Sequence, residues 1–484
     1  MSAPKPLYLT TTLPYVNADP HIGFALKLVQ ADVIARYAAL QGRKVFFNTG
    51  TDEHGLKIFR RANEEGKDPQ AYTDEYAEKF RALKEKLNLY PDIHFIRTTD
   101  PHHKKAAQEM WRRCLEKGDI EKRKYKGLYC VGDEMFLKPS DLVNGKCPNH
   151  PTMEPLEIEE ENYFFKLSNY QRDLEKYLSR EGSVVPEWRR QEALKFVEAG
   201  LEDFSISREK SRLPWGVPVP GDEEQVMYVW FDALTNYIST LGWPEDGEGN
   251  FKTFWEEGET LQLAGKDQVR FQSVMWQAML LSAGVKATDR VLYHGFITSG
   301  GQKMSKSVGN VIDPYAIIEE YGTDALRYFL ARHVHPFEDS DVTMERFKEL
   351  YNADLANGLG NFVSRVMALS EKYLEKTELP DMKIYTEEPY IKDYKEALKK
   401  WETNKAVERL WERIQELDKA ITVKEPFKII KYDPILGRDA VTVFVRDVAA
   451  IGYLLEPFMP DTSAKILAAV AANKKPENLF PRKE

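Results

Sequence analysis

The sequence predicts an α/β fold: a parallel-sheet domain interrupted by an insertion and followed by an all-α C-terminal helix bundle. Three observations carry this expectation. A strand–helix–strand unit opens the chain, strand-like runs separated by helical patterns return after residue 224, and from about residue 346 the apolar spacing is almost wholly helical.

The elements follow in order. Leu7-Tyr8-Leu9-Thr10-Thr11 is a short β-rich run, after which Pro14, Asn17, Asp19 and Pro20 break the chain. From Ile22 to about Leu40, Phe24, Leu28, Val29, Val33, Ile34 and Tyr37 recur at helical spacing, and Gln41-Gly42-Arg43 ends the helix. Lys44 to Asn48 reads as a second strand, with a polar turn over Thr49 to Gly55. Residues 1–115 thus form a first half of the sheet domain. Residues 116–224 are rich in charge and turns, with strand-like pieces such as Gly127–Val131, and read as an insertion. A second half spans 225–298, with strands expected at Gln225–Trp230, Thr260–Ala264 and Arg290–His294. A loop region follows over 299–345, and the bundle covers 346–484 with breaks near Pro380, Pro426, Pro434 and Pro460.

The chain has 484 residues, enough for about three domains. A hydrophobic share of 42% with 12% aromatics supplies real cores and excludes global disorder. The net charge of −9 argues against a coat of basic charge for bulk nucleic-acid binding, while leaving room for a local basic groove. Three cysteines exclude a disulfide scaffold. No apolar run reaches a membrane span, and Met1–Pro6 lacks a signal-peptide core, so a cytoplasmic protein is expected.

Two local signals carry chemistry. Pro20-His21-Ile22-Gly23 falls at the first strand-to-helix junction, where free N–H groups and the dipole favour a phosphate. There Gly23 permits close approach and His21 can donate to an oxygen gaining charge. Taken alone, a capping turn with an incidental His explains it as well. Gly300-Gly301-Gln302-Lys303-Met304-Ser305-Lys306-Ser307 places two lysines and two serines after a glycine hinge, an anion clamp or a solvated basic loop. Gly265-Lys266-Asp267 after an apolar strand is a weaker cue.

In this order the motifs resemble those of the class I aminoacyl-tRNA synthetases, and among them the methionyl-tRNA synthetase family. The matching stretches are Leu13–Asn17 leading to His21-Ile22-Gly23, Thr51–Gly55, Glu161–Phe165, Leu201–Arg208, Trp230–Leu234, Gly265–Asp267, and His294–Phe296 running into Lys303–Ser307. The resemblance spans essentially the whole chain. It implies a class I synthetase Rossmann-like catalytic domain with a knuckle insertion, a lysine-loop and stem-contact region at 299–345, and an anticodon-binding bundle at 346–484.

The activity implied is ligation of methionine to tRNA. Methionine is first activated with ATP and Mg2+ to the adenylate, and is then passed to the 3′ end of tRNA(Met). His21, Lys303 and Lys306 are assigned to the phosphates, with Gly23, Gly265, Asp267 and Lys306 around ATP. Asp52 would pair with the substrate ammonium. Leu13, Tyr15, Trp230, Leu234, Tyr237, Phe271 and Gln272 would surround the thioether, for which aromatic walls suit a polarizable sulfur chain. For the anticodon the resemblance assigns Asn361, Arg365 and Phe427. Without it, each pocket aromatic would read as core and the helix pair as a solvated face.

The chain departs from the family at three positions. Phe24 stands where a second His is usual, Gln272 where a His is usual, and Phe427 where a Trp is common. Activity is expected to survive, since His21 and both lysines remain.

Cys130-x₂-Asp133-x₁₃-Cys147-x₂-His150 has the spacing of a zinc knuckle with one ligand changed. Two readings stay open: one structural Zn2+ held by Cys130, Asp133, Cys147 and His150, or a metal-free knuckle kept by packing. Cys114 lies outside the spacing and reads as core, as does Trp411. The chain ends soon after Phe480 without the extra module that often dimerises relatives, so a monomer is expected. Two other functions stand as alternatives: a sibling class I synthetase for Leu, Ile, Val or Cys, and a non-catalytic tRNA-binding paralogue supported only by Phe24 and Gln272.

Overall fold

The computed structural model describes residues 4–131, 135–137, 139–148, 151–304, 310–382 and 388–484. The chain divides into two compact units: Met1–Pro20, Gln41–Lys84 and Tyr90–His294 in the first, and His21–Leu40, Glu85–Leu89 and Gly295–Glu484 in the second.

The first unit is built on a six-stranded, all-parallel sheet. Its strands are β1 (Leu7–Thr11), β2 (Val45–Thr51), β3 (Ile93–Arg97), β4 (Val184–Val185), β5 (Glu259–Gly265) and β6 (Arg290–His294). They lie in the order β3-β2-β1-β5-β6-β4, with Leu9 level with Phe47 on one side and Leu261 on the other. The order reverses between β1 and β5, the place where parallel sheets open a crevice at the strand C-terminal ends. Helix α2 (Pro101–Glu116) contributes the buried Met110, Trp111 and Cys114 to the core. The insertion forms a four-stranded antiparallel sheet around Ile120–Cys130 and Leu156–Phe165, which pair along ten residues.

Three expectations are corrected. The second strand does not end at Asn48, because Thr49–Thr51 pair with Phe95–Arg97 of β3. Gly50 marks this pairing rather than a turn: a Cβ there would lie 1.8 Å from the Ile96 carbonyl oxygen, so only glycine lets β3 approach. Gln225–Trp230 is not a strand of the parallel sheet. Its first part, Gln225–Met227, is the end of a strand Asp222–Met227 and pairs antiparallel with Ser207–Glu209. Val229 and Trp230 then open the short helix α3 (Val229–Leu234). The strand read at Gly127–Val131 is the end of a much longer one, Ile120–Cys130.

In the second unit, α1 (Ile22–Leu40) carries Asp32, fully buried against two guanidinium groups. Arg36 Nε donates to Asp32 at 2.8 Å, and Arg327 donates to it at 2.6 Å while also binding the Pro457 and Phe458 carbonyls at 2.9 Å. Breaking such a buried pair typically costs about 3–5 kcal/mol. Asp32, Arg36 and Arg327 all belong to this second unit. The C-terminal part is helical as expected, including α4 (Asn361–Tyr373), α5 (Thr403–Lys424), α6 (Pro426–Tyr432) and α7 (Pro434–Leu455). Pro426, Pro434 and Pro460 each open a helix, where a missing N–H leaves no bond unmade, and Asp433 caps α7 by accepting from Leu436 N–H at 3.0 Å. Among the described residues no helix is long and apolar enough to cross a membrane.

Candidate active site

The first unit gathers several of the expected site residues at the C-terminal ends of its strands. The segment after β1 returns beside the end of β2: Asp52 N–H donates to the Pro14 carbonyl at 2.9 Å, and Tyr15 bridges Asp52. Asp52 is buried. The Tyr15 ring stands edge-on to Trp230 at 6.2 Å, and Trp230 stacks on Phe271 at 3.9 Å with 11° between planes. Gln272 Nε2 donates to the Tyr237 hydroxyl at 2.7 Å. Burial pushes the Tyr237 hydroxyl well above its ordinary value, so it stays a neutral donor. Leu13, Tyr15, Trp230 and Phe271 are half-buried, while Asp52, Leu234, Tyr237 and Gln272 are buried. Of the eight residues assigned to methionine, the described contacts link six: Tyr15 to Asp52 and Trp230, Trp230 to Phe271, and Gln272 to Tyr237. Leu13 lies two residues before Tyr15, and Leu234 belongs to the same buried core as Tyr237.

Gly265 ends β5 level with His294 of β6, and the exposed Asp267 lies in the single turn that follows. Both sit at the sheet's reversal, where the β1 and β5 ends diverge. Beyond Phe271, a cavity of about 540 Å³ is lined by Phe196, Phe204, Arg208, Tyr228, Arg270 and Met275 among others.

In the second unit, His21 precedes the first turn of α1. Gly23 N–H donates to His21 Nδ1 at 3.1 Å, which leaves the ring proton on Nε2. Burial and the nearby Lys27 ammonium lower the ring to about 4, so it is neutral at pH 7 and offers an Nε2–H donor. A Cβ on Gly23 would meet the His21 ring at 2.8 Å, so glycine keeps the imidazole in place. Phe24 packs its ring 4.4 Å from His21. Gln302 and Lys303 form a hairpin with Ile297–Ser299, turned by Gly300 and Gly301 at φ 63° and 73°. The two glycines thus build a tight turn that Asp341 closes by accepting from Gly301 N–H at 2.8 Å. Lys306 lies outside the described residues, as do Ser305 and Ser307.

On α4, Asn361 is exposed, and Arg365 one turn on donates to Asp418 and, at 3.1 Å, to Thr422 of α5. Phe427 on α6 is 38% exposed. Cys130 and Cys147 are buried in one small cluster with Leu137, which brings together two of the four knuckle positions. Asp133 and His150 lie outside the described residues. Cys114 is core, its thiol pushed up to about 12 by burial, and Trp411 is buried.

Sequence reasoning missed the polar groups behind the pocket. Glu53 binds Arg97 at 2.7 and 2.8 Å, and His54 and His103 both meet Asp232. His54 and Asp232 fall inside the quoted motifs, yet nothing in a single sequence pairs residues 178 positions apart.

A parallel sheet whose strand order reverses beside a buried carboxylate and an aromatic cluster is that of an α/β nucleotide-binding-type enzyme domain, whose ligands sit at the strand C-terminal ends. A family model described as "tRNA synthetases class I (M)" matches residues 7–154 and 150–367. A methionine–tRNA ligase of Thermotoga maritima is 40% identical over 492 residues, covering 97% of this chain and 76% of that protein. One of Thermosynechococcus vestitus is 46% identical over 372 residues, covering 76% and 69%. Among solved structures, Mycobacterium tuberculosis methionyl-tRNA synthetase in complex with methionyl-adenylate superposes with a TM-score of 0.89 at 36% identity, covering 99% of each chain. The chain belongs to the class I tRNA synthetases of this (M) family.

Proposed function

We infer that the chain ligates methionine to tRNA(Met) at the expense of ATP. The observation that carries this reading is the match, over nearly its whole length, to methionine–tRNA ligases and to a synthetase with methionyl-adenylate bound. The pocket chemistry supports it: a buried carboxylate beside a Tyr15–Trp230–Phe271 wall suits an ammonium next to a soft, unbranched chain.

In the first step the methionine carboxylate oxygen attacks the α-phosphorus of ATP, the P–O bond to the β-phosphate breaks, and pyrophosphate leaves. In the second, a hydroxyl of the terminal adenosine of tRNA attacks the adenylate carbonyl and AMP leaves. No covalent enzyme intermediate forms, so the protein acts by positioning and charge stabilisation. Asp52 holds the ammonium, and Leu13, Leu234, Tyr237 and Gln272 complete the thioether pocket. His21 donates Nε2–H to the phosphates, Lys303 and Lys306 neutralise them, and Gly23, Gly265 and Asp267 border the nucleotide. Mg2+ accompanies ATP. Phe24 cannot donate a hydrogen bond, so His21 carries that end of α1 alone.

Residues 346–484 read the anticodon through Asn361, Arg365 and Phe427, the last by stacking on an unpaired base. The domain reading keeps 1–115 and 225–298 as catalytic halves around the 116–224 insertion, with 299–345 as the loop and stem-contact region. The protein acts in the cytoplasm as a monomer. The shared burial of Cys130 and Cys147 fits a thiolate pair for one structural Zn2+, completed by Asp133 and His150. Purified protein is then expected to contain one zinc per chain by elemental analysis, and Cys147→Ser to lose it. A metal-free, fully folded wild type excludes the zinc.

The catalytic reading is tested by Lys306→Ala. Methionyl-adenylate formation, followed by mass spectrometry, falls by about 10²-fold or more, while methionine affinity by calorimetry is unchanged. Wild-type adenylate formation in the variant removes the lysine loop from the mechanism.

A further inference from the structure

The two residues after Asp52 are both buried and both committed to charged partners. Glu53 binds Arg97 through both oxygens, takes Thr51 Oγ1 at 2.6 Å, and accepts Trp215 Nε1–H on its carbonyl at 2.6 Å. His54 Nδ1 lies 2.6 Å from Asp232 Oδ2. The other oxygen of that carboxylate lies 2.8 Å from His103 Nε2, and His103 Nδ1 lies 2.9 Å from Ser239 Oγ. A carboxylate only accepts, so the ring nitrogens of His54 and His103 that face it carry the protons. Burial opposes the Asp232 charge, but the attraction of His54 and hydrogen bonds from both rings outweigh it and hold the carboxyl down at about 2.

The geometry links the two halves of the methionine pocket. His54 is two residues beyond Asp52, on the turn leaving β2. Asp232 is on α3, two residues beyond Trp230 and two before Leu234. His103 anchors the same carboxylate to α2. A single buried carboxylate therefore joins the segment that offers the ammonium partner to the helix that offers the thioether wall, with a core helix behind both.

We propose that Asp232 is a positioning residue for methionine, acting through His54 to fix the Asp52 carboxylate relative to the Trp230 wall. The proposal rests on the reading of Asp52 and Trp230 as methionine contacts. Pre-set geometry of this kind matters because a bound ammonium and a packed side chain must be satisfied together.

The test uses the full chain in methionine-dependent ATP–pyrophosphate exchange, with KM for methionine and for ATP measured separately. His54→Ala is expected to raise KM for methionine at least about tenfold while KM for ATP stays within about twofold. His54→Asn, whose Nδ2–H can stand where the ring Nδ1–H stood, recovers most of that loss. A purely structural network gives a different result: a lower melting temperature and active fraction with KM for methionine unchanged, which overturns the proposal. Equal rises in both KM values overturn it too. If His54→Ala does not fold, Asp232→Asn is read by the same split, with the same outcomes deciding. Asp52→Asn separates the two layers. An unchanged KM for methionine in that variant refutes the pocket reading, whereas a raised KM there with none in His54→Ala refutes only the positioning role.

Discussion

The His21 ring owes its chemistry to two neighbours that the sequence places beside it. Gly23 N–H occupies Nδ1, and burial, assisted by Lys27, keeps the ring neutral down to about 4. A group held below its ordinary value of 6.5 contributes fully to stability above pH 6.5, and the contribution is lost as pH falls toward 4. Asp232, held at about 2 against an ordinary 3.8, loses its contribution only at still lower pH. NMR titration of the His21 ring is expected to show no protonation at pH 6 and an inflection near 4. A midpoint near 6.5 would show a solvent-exposed ring without the Gly23 bond. His21→Ala should slow adenylate formation by about 10²–10³, the usual cost of one such donor. Phe24 leaves no second imidazole to compensate.

At the scale of elements, what could be read from the sequence was what local spacing encodes. β1 and α1 match the expected Leu7–Thr11 and Ile22–Leu40, because a β-rich run and a helical apolar pattern are each complete within their own windows. β2 was cut short because Gly50 looks like a turn residue until β3 is beside it. β4 is two residues long and carries no pattern of its own. Val229 and Trp230 favour strands, yet tertiary packing puts them in α3. Likewise, the motif resemblance proposes site residues from local strings, while the polar network around Asp232 depends on distant pairings that no local string encodes.

The α4–α5 pairing bears on tRNA. Arg365 is held by Asp418 and Thr422, so the proposed base contact would use its remaining N–H groups or exchange those partners. Arg365→Ala and Phe427→Ala are each expected to raise KM for tRNA by roughly tenfold or more. Methionine-dependent exchange, which needs no tRNA, stays at wild-type rate. Equal tRNA KM values in wild type and both variants would remove these residues from recognition.

At the scale of the molecule, charge and fold set different limits. The net charge of −9 gives no general attraction for nucleic acid, so the proposed tRNA binding calls for local side chains, for which Arg365 is the candidate, rather than the whole surface. The parallel sheet and the cluster of Tyr15, Asp52, Trp230 and Phe271 lie in one unit, and His21, the Lys303 hairpin and the C-terminal helices in the other. The central claim is that this whole assembly serves methionine alone. It is tested most directly by amino-acid-dependent ATP–pyrophosphate exchange across all twenty amino acids, with Mg2+ present. We predict exchange with methionine only, which would also make Phe24 and Gln272 tolerated departures from the family pattern. Exchange driven by a different amino acid, or none with well-folded protein, would contradict it.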